Sequence, residues 1–337
     1  MDRVQADIQS VVTNKAMFER FANSSILVTG ATGLIGSMMI KTLVAANEQY
    51  NLGIRITGQI RNPEKAQAVL GSIFDRIEIT LTDDVPADYI IHTVSPTTSK
   101  FFVEHPVETI RVSVESTISV LEAARKNGSS IVYLSSMEQY GVPYENNQRM
   151  TEDKIGVIDH LNIRSSYSES KRLCECLCAS YASEYDVDVK IARLAQTVGA
   201  GAPRSDNRMP IQFARAAAQG TDIVLHTEGK SISNFVYLTD AISGILTILD
   251  KGLKGQAYNV CNDRETRSVR EIAELVCREV AMGSISVRVE KKDNMGYAPD
   301  VAMYLDSGKL RELGWNAEIG MAEAYRRLVE YLREADA

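Results

Sequence analysis

Five cysteines and four histidines among 337 residues leave little from which to build a disulfide framework or a metal cage. Three of the cysteines, Cys174, Cys176 and Cys178, fall in "CECLC" within one predicted helix, where a disulfide framework does not form readily. Metal binding by this run is the sharper alternative; helix packing, with Cys174 and Cys178 four apart on one face, is the better reading, and no metal is expected. A surplus of positive charge is also lacking. The formal net charge of -7 argues against neutralising a nucleic-acid backbone, while a few local arginines can still hold a small anion. No run approaches the roughly 18 apolar residues of a membrane helix, and the charged start "MDRVQADIQS" lacks the apolar segment of a secretory signal. These absences lead us to expect a soluble, cytoplasmic protein with a small-molecule partner, without nucleic acid or membrane.

What is present is ordinary globular composition, 45% apolar and 24% charged, in a chain long enough for one large domain or two lobes. Val4, Ile8, Val11, Val12, Phe18 and Phe21 recur at close to helical period, which predicts a helical extension over 1–24. From Ser25 short β-branched runs alternate with longer helical stretches: "SILVTG", "IRITGQI", "IEITL", "DYIIHTV", "SIVYLSS" and "VKIARLA", with helices from 37 to 48, from 63, from 106 to 127 and from 165 to 185. Such alternation predicts an α/β domain with a doubly wound parallel sheet over 25–199. Beyond Gly199 the alternation breaks into loops and isolated pieces such as "DIVLHT" and "AYNVCN". Residues 200–337 therefore read as mainly a smaller substrate-binding lobe, partly woven back into the first domain.

"ILVTGATGLIG" sets Gly30, Gly33 and Gly36 directly after a strand and at the opening of a helix. Glycines there permit a tight turn and let backbone N–H groups, those around Thr32, Leu34 and Ile35 included, approach a pyrophosphate at the helix N-terminus. The second strand ends in "GQIRNPEK" without the acidic residue that binds an adenosine ribose; Arg61 stands there and suits the extra phosphate of NADP. The cofactor is NAD or NADP. Further on, "RSSYSESKR" puts Tyr167 and Lys171 four apart on one helix face, where an ammonium is expected to lower the phenol pKa and make it a base for alcohol oxidation.

The G-x-x-G-x-x-G turn and the Y-x-x-x-K pair together resemble the extended short-chain dehydrogenase/reductase family, whose nucleotide-binding domain is a Rossmann fold. "YLSSMEQYG", "NRMPIQFARAAAQG", "FVYLTDAISGI" and "LRELGW" fall in the order expected for its sugar-nucleotide epimerase and dehydratase group. The resemblance implies that Ser136, rather than Ser135, joins Tyr167 and Lys171 as a catalytic residue. It also implies that Asp83 and Asp84 contact adenine, that Thr93 and Ser95 lie beside the cofactor riboses, and that Gln196 lines the substrate. Lys171 would also hold the nicotinamide ribose. A homodimer through helices 106–127 and 165–185 is the family's habit.

The chain departs from the family at several points. Ser113 stands where an asparagine usually completes the proton relay. Met137 replaces the acid that a 4,6-dehydratase uses to expel water, whereas Glu138 remains as a carboxylate of the kind the decarboxylase subgroup carries. Ser233 stands where relatives place an arginine on the nucleotide diphosphate, and a second arginine near "GYAPDVAMYLDSGK" is missing, which leaves Arg204 and Arg208 to hold that charge. The expectation is an NAD(P)-dependent sugar-nucleotide epimerase-type enzyme, oxidising and re-reducing sugar C4. The alternatives are a UDP-glucuronate decarboxylase-like or 4,6-dehydratase-like enzyme, an NADP-dependent carbonyl reductase on another substrate, and a dinucleotide-sensing regulator.

Arg61 gives the first prediction. If it meets a 2′-phosphate, Arg61→Ala weakens NADP binding by about 1.5–3 kcal/mol, the range for a hydrogen bond to a charged group, and leaves NAD nearly untouched. Calorimetric titration of both cofactors reads the difference, and equal losses remove the preference for NADP.

Overall fold

The computed structural model describes residues 1–145, 147–203, 205–291 and 300–334. Its elements run α1 (Arg3–Val12), α2 (Lys15–Glu19), β1 (Ser25–Thr29), α3 (Leu34–Tyr50), β2 (Arg55–Gln59), α4 (Pro63–Leu70), β3 (Glu78–Thr80), β4 (Tyr89–His92), α5 (Ser99–Glu104), α6 (Pro106–Asn127), β5 (Ser130–Ser136), β6 (Arg149–Met150) and α7 (Ser166–Glu184). They continue through β7 (Val189–Leu194), β8 (Gln196–Val198), α8 (Met209–Gln219), β9 (Ile223–Leu225), β10 (Ile232–Ser233), β11 (Phe235–Tyr237), α9 (Leu238–Lys251), β12 (Ala257–Val260), β13 (Arg267–Ser268), α10 (Val269–Leu275), β14 (Val287–Val289), β15 (Tyr304–Leu305), α11 (Gly308–Glu312) and α12 (Met321–Glu334).

Seven parallel strands form the central sheet in the order β12-β7-β5-β4-β1-β2-β3. Both faces are covered, so its inner strands are buried along their length: all five residues of β1 and all six of β7, Lys190 and Arg193 included. The expected strands and helices appear close to their expected bounds. The piece of 200–337 that returns to the first domain as a strand is "AYNV": it is β12, the seventh strand of the main sheet, beside β7. Helix α9 likewise packs on this sheet through Ile242, Ile245, Leu246 and Leu249. A second apolar cluster, around Phe213, Ile223, Ile272, Tyr325 and Leu328, holds α8, β9, α10 and α12 together.

The N-terminal segment is bound firmly to the body. Asp2 caps α1 by accepting from the Gln5 N–H at 2.8 Å, and Ile8, Val11 and Val12 enter the main core. Asp7, fully buried on the same helix, accepts from the Tyr237 hydroxyl at 2.5 Å and pairs with Arg3 at 2.9 Å and with Arg327 at 3.0 Å. Helix α1 thus ties the end of β11 to α12. Among the described residues no helix is long and apolar enough to cross a membrane.

The interior also holds an ion pair between α7 and β7. Arg193 meets both carboxylate oxygens of Glu175, Nε at 3.0 Å from each and Nη2 at 2.7 Å from Oε2. Glu175 accepts from the Ser135 hydroxyl at 2.5 Å, while Arg193 reaches the Tyr140 oxygen at 2.9 Å, and Tyr140 donates to Asn259 Oδ1 on β12 at 2.8 Å. Burial alone would lower the arginine's pKa; the carboxylate and the phenol overcome this and raise it. Removing one member of a buried pair strands the other charge, so Arg193→Met is expected to cost about 3–5 kcal/mol in urea unfolding, and Arg193→Met/Glu175→Leu considerably less.

Candidate active site

The site forms at the carboxyl ends of β1, β4 and β5, where a doubly wound sheet leaves a crevice. After β1 the chain turns at Gly30, with φ +66°, and enters α3. A Cβ on Gly30 would sit 2.7 Å from Thr93 Oγ1, and one on Gly36 would sit 2.4 Å from the Gly30 carbonyl oxygen, so both positions require glycine for close packing. Gly33 differs. A Cβ there would meet only the Gly30 oxygen, at 3.3 Å, so this face of the turn is open for a ligand. Thr32, Leu34 and Ile35 lie in the turn and the first turn of α3. Thr93 donates to the Thr29 carbonyl at 2.7 Å and so braces the turn, and Gln59 at the end of β2 accepts from the Gly30 N–H at 3.1 Å. Sequence reasoning missed Gln59; its place at the end of the second strand is the signal that marks it.

Two buried polar atoms along this edge, Ser95 Oγ and Asp83 Oδ1, have no hydrogen-bond partner in the protein. Buried polar groups are rarely left so, and together with the open glycine face they fit a bound dinucleotide. Arg61 is exposed beyond β2. Asp84 is exposed and pairs with Lys126 at 2.9 Å on the surface.

The reacting constellation lies across the crevice. Ser136 ends β5 beside Tyr167 on α7, close enough for its hydroxyl to act on the phenol's pKa. The Lys171 ammonium, one turn on, donates to the Leu134 carbonyl at 2.7 Å and lies 4.9 Å from the Tyr133 ring centre and 5.8 Å from that of Tyr167. Burial lowers the Lys171 pKa to about 8 despite the nearby Cys174 and Glu175. The tyrosine departs from expectation. Burial and the charge of Glu138 raise the Tyr167 pKa, against the Ser136 hydrogen bond and the charge of Arg208. The lysine fails to lower it because its ammonium is directed to the Leu134 carbonyl and the Tyr133 face. His92, behind them on β4, is fully buried between Thr29 (2.7 Å) and Thr117 (3.3 Å); burial and Lys171 push its pKa down to about 3, so it stays neutral.

Glu138 lies in the 3-10 turn Met137–Tyr140 after β5, which Ser136 caps by accepting from the Glu138 N–H at 3.3 Å. Protein around the carboxyl raises its pKa, against the charge of Arg164 and a hydrogen bond from Ser168. Its side chain is nevertheless exposed to the cleft. Arg164 and Ser168 are further residues that the sequence reading missed; both flank Tyr167 in "RSSYSESKR".

Met137 is packed away from solvent, and its sulfur accepts from the Ser233 hydroxyl at 3.8 Å. The position expected for a diphosphate arginine is therefore joined to the residue that replaces the dehydratase acid. Ser113 points its hydroxyl into its own helix, onto the Thr109 carbonyl at 2.9 Å, and supplies no relay group. Arg208 caps α8 and makes a bidentate pair with Asp206, Nη2 to Oδ2 at 2.6 Å, so most of its charge is already matched. Gln196 is exposed at the start of β8. Arg204 lies outside the described residues, as does most of "GYAPD".

A glycine turn opening a doubly wound sheet, set across from a serine, tyrosine and lysine, defines an enzyme class that uses a nicotinamide dinucleotide. Residues 26–261 match the model of the NAD dependent epimerase/dehydratase family, and the chain belongs to that family. Among curated relatives, UDP-glucuronic acid decarboxylase 6 of Arabidopsis thaliana is 28% identical over 96% of this chain and 92% of its own length. UDP-glucuronic acid decarboxylase 1 of Xenopus tropicalis is 26% identical over 92% of this chain and 72% of its own. The same fold is found in UDP-glucose 4-epimerase of Thermotoga maritima, solved with UDP-glucose: TM-score 0.74, 18% identity, covering 93% of this chain and all of the other. The protein is an enzyme of this family, with NAD or NADP as cofactor.

The lysine gives a direct test. With lysine carbon-labelled, one side-chain resonance is expected to titrate near pH 8, charged below and neutral above, and to vanish in Lys171→Met. A chain in which every lysine titrates in the ordinary range near 10.4 overturns this assignment.

Proposed function

We propose that the protein oxidises and re-reduces C4 of a nucleotide-linked sugar, as an epimerase-type enzyme. The observation that carries this reading is the convergence of Ser136 at the end of β5 with Tyr167 on α7, the Lys171 ammonium 5.8 Å from the phenol ring centre and the open glycine turn opposite. The glycine turn, Thr93, Ser95 and Lys171 would hold the dinucleotide, with Asp83 at the adenine end. When bound, NAD(P)⁺ supplies the hydride acceptor and a positive charge that favours the phenolate. Ser136 orients the C4 hydroxyl, and Tyr167 takes its proton and returns it on re-reduction. Arg208 faces Tyr167 electrostatically and serves the substrate side with Gln196 and Arg204.

A second reading has a specific observation in its favour. Glu138 stands by the phenol, open to the cleft and with its pKa raised, where a carboxyl is needed to protonate C5 after a 4-keto uronic acid loses carbon dioxide. The curated relatives are named for that chemistry. Dehydration is disfavoured: hydroxide leaves only with a positioned acid, worth roughly 10²–10⁴-fold, and Met137 donates no proton.

A small nucleotide sugar is thus the partner we assign, together with a second copy of the chain. Val107 (68% exposed) and Ile110 (43%) on α6 and Leu173 (47%) on α7 leave an apolar face suited to a homodimer.

UDP-glucose and UDP-glucuronic acid separate the readings. Epimerisation gives the 4-epimer without gas, decarboxylation gives a UDP-pentose and carbon dioxide, and neither gives a 4-keto-6-deoxy sugar. Tyr167→Phe is expected to fold and bind cofactor normally while turnover falls by at least 10²-fold, within the range for a lost general base; turnover within tenfold of the parent refutes the assignment. Glu138→Gln abolishes solvent deuterium entry at C5 if the carboxyl acts there.

A further inference from the structure

The phenol of Tyr167 is not held by polar groups alone. On α5, Phe102 is 2% exposed and lies flat against it, ring centres 4.3 Å apart and planes 7° from parallel. It is the one fully buried side chain of that helix. Helix α5 is also fastened to the start of α7: the Ser166 hydroxyl donates to the Phe102 carbonyl at 3.3 Å, and Arg164 reaches Ser99 at 3.5 Å. The strand end that carries Thr93 and Ser95 runs directly into α5. A tyrosine's outer torsion is broad, so its ring rocks and flips unless a neighbour fixes the plane.

We propose that Phe102 is a positioning residue for the reaction, its stacked ring fixing the plane of Tyr167 and hence the direction in which the phenol meets Ser136 and the reacting hydroxyl. The inference rests on Tyr167 being the proton-transferring group. Glu138 and Arg208 supply the charges that act on that phenol; Phe102 supplies its orientation. A phenyl ring matches the flat face of the phenol along its whole length, whereas a branched aliphatic chain of similar bulk fills the space without defining a plane.

The test uses the whole protein with tyrosine labelled at its ε carbons, the Tyr167 signals being those lost in Tyr167→Phe. The parent is expected to show two separate ε resonances, from a ring that flips slowly. Phe102→Leu should merge them into one averaged line, and Phe102→Tyr should restore two. With whichever of UDP-glucose and UDP-glucuronic acid the parent turns over, kcat of Phe102→Leu should fall about 10–100-fold at nearly constant KM, and Phe102→Tyr should recover it. If the parent turns over neither, the resonances decide. An averaged line in the parent, two lines in a folded Phe102→Leu, or undiminished turnover there overturns the proposal. Thermal unfolding checks folding, and Phe102→Met replaces a leucine variant that does not fold. Turnover surviving in Tyr167→Phe would remove the base assignment and leave the ring-flip comparison standing.

Discussion

The buried pair of Arg193 and Glu175 is the constraint on which the catalytic end of the sheet depends. Two charges placed in a protein interior cost several kcal/mol each unless geometry and further hydrogen bonds compensate them. Here the compensation reaches outward to the site: Glu175 fixes Ser135, the residue before Ser136, and Arg193 fixes Tyr140, the last residue of the turn that carries Glu138. Asn259 adds the edge strand β12 to the same network. The serine and the carboxylate are thus set by contacts on the protein side, which leaves their functional atoms directed to the cleft.

Around this frame the site separates charge by distance and burial. Lys171 is deeply buried and directed to a carbonyl, while Arg164 and Arg208 act on Glu138 and Tyr167 respectively. The charge of Glu138 adds to burial in raising the pKa of the phenol.

The substrate side shows why residue identity alone is an incomplete guide. Ser233 and Met137 are far apart in the chain, and each taken singly is a departure from the family pattern. Folded, they touch through the serine hydroxyl and the methionine sulfur, so neither position brings a charge to this wall of the cleft. The arginine that the sequence offered as a replacement, Arg208, is already paired with Asp206.

The sequence by itself determined the parallel sheet, through alternating strand and helix patterns, and the two local motifs whose spacing places their members together: the glycines after β1 and Tyr167 with Lys171 one helical turn apart. Those are short-range constraints, carried by glycine geometry and by helical period. Tertiary structure alone decided what depends on long-range contact. The return of "AYNV" to the sheet, the stacking of Phe102 on Tyr167, the turning of Asp84 to Lys126 and of Ser113 to its own helix, and the raised tyrosine pKa all arise from neighbours distant in sequence or from burial. No pattern along the chain records a neighbour's distance or the water it excludes.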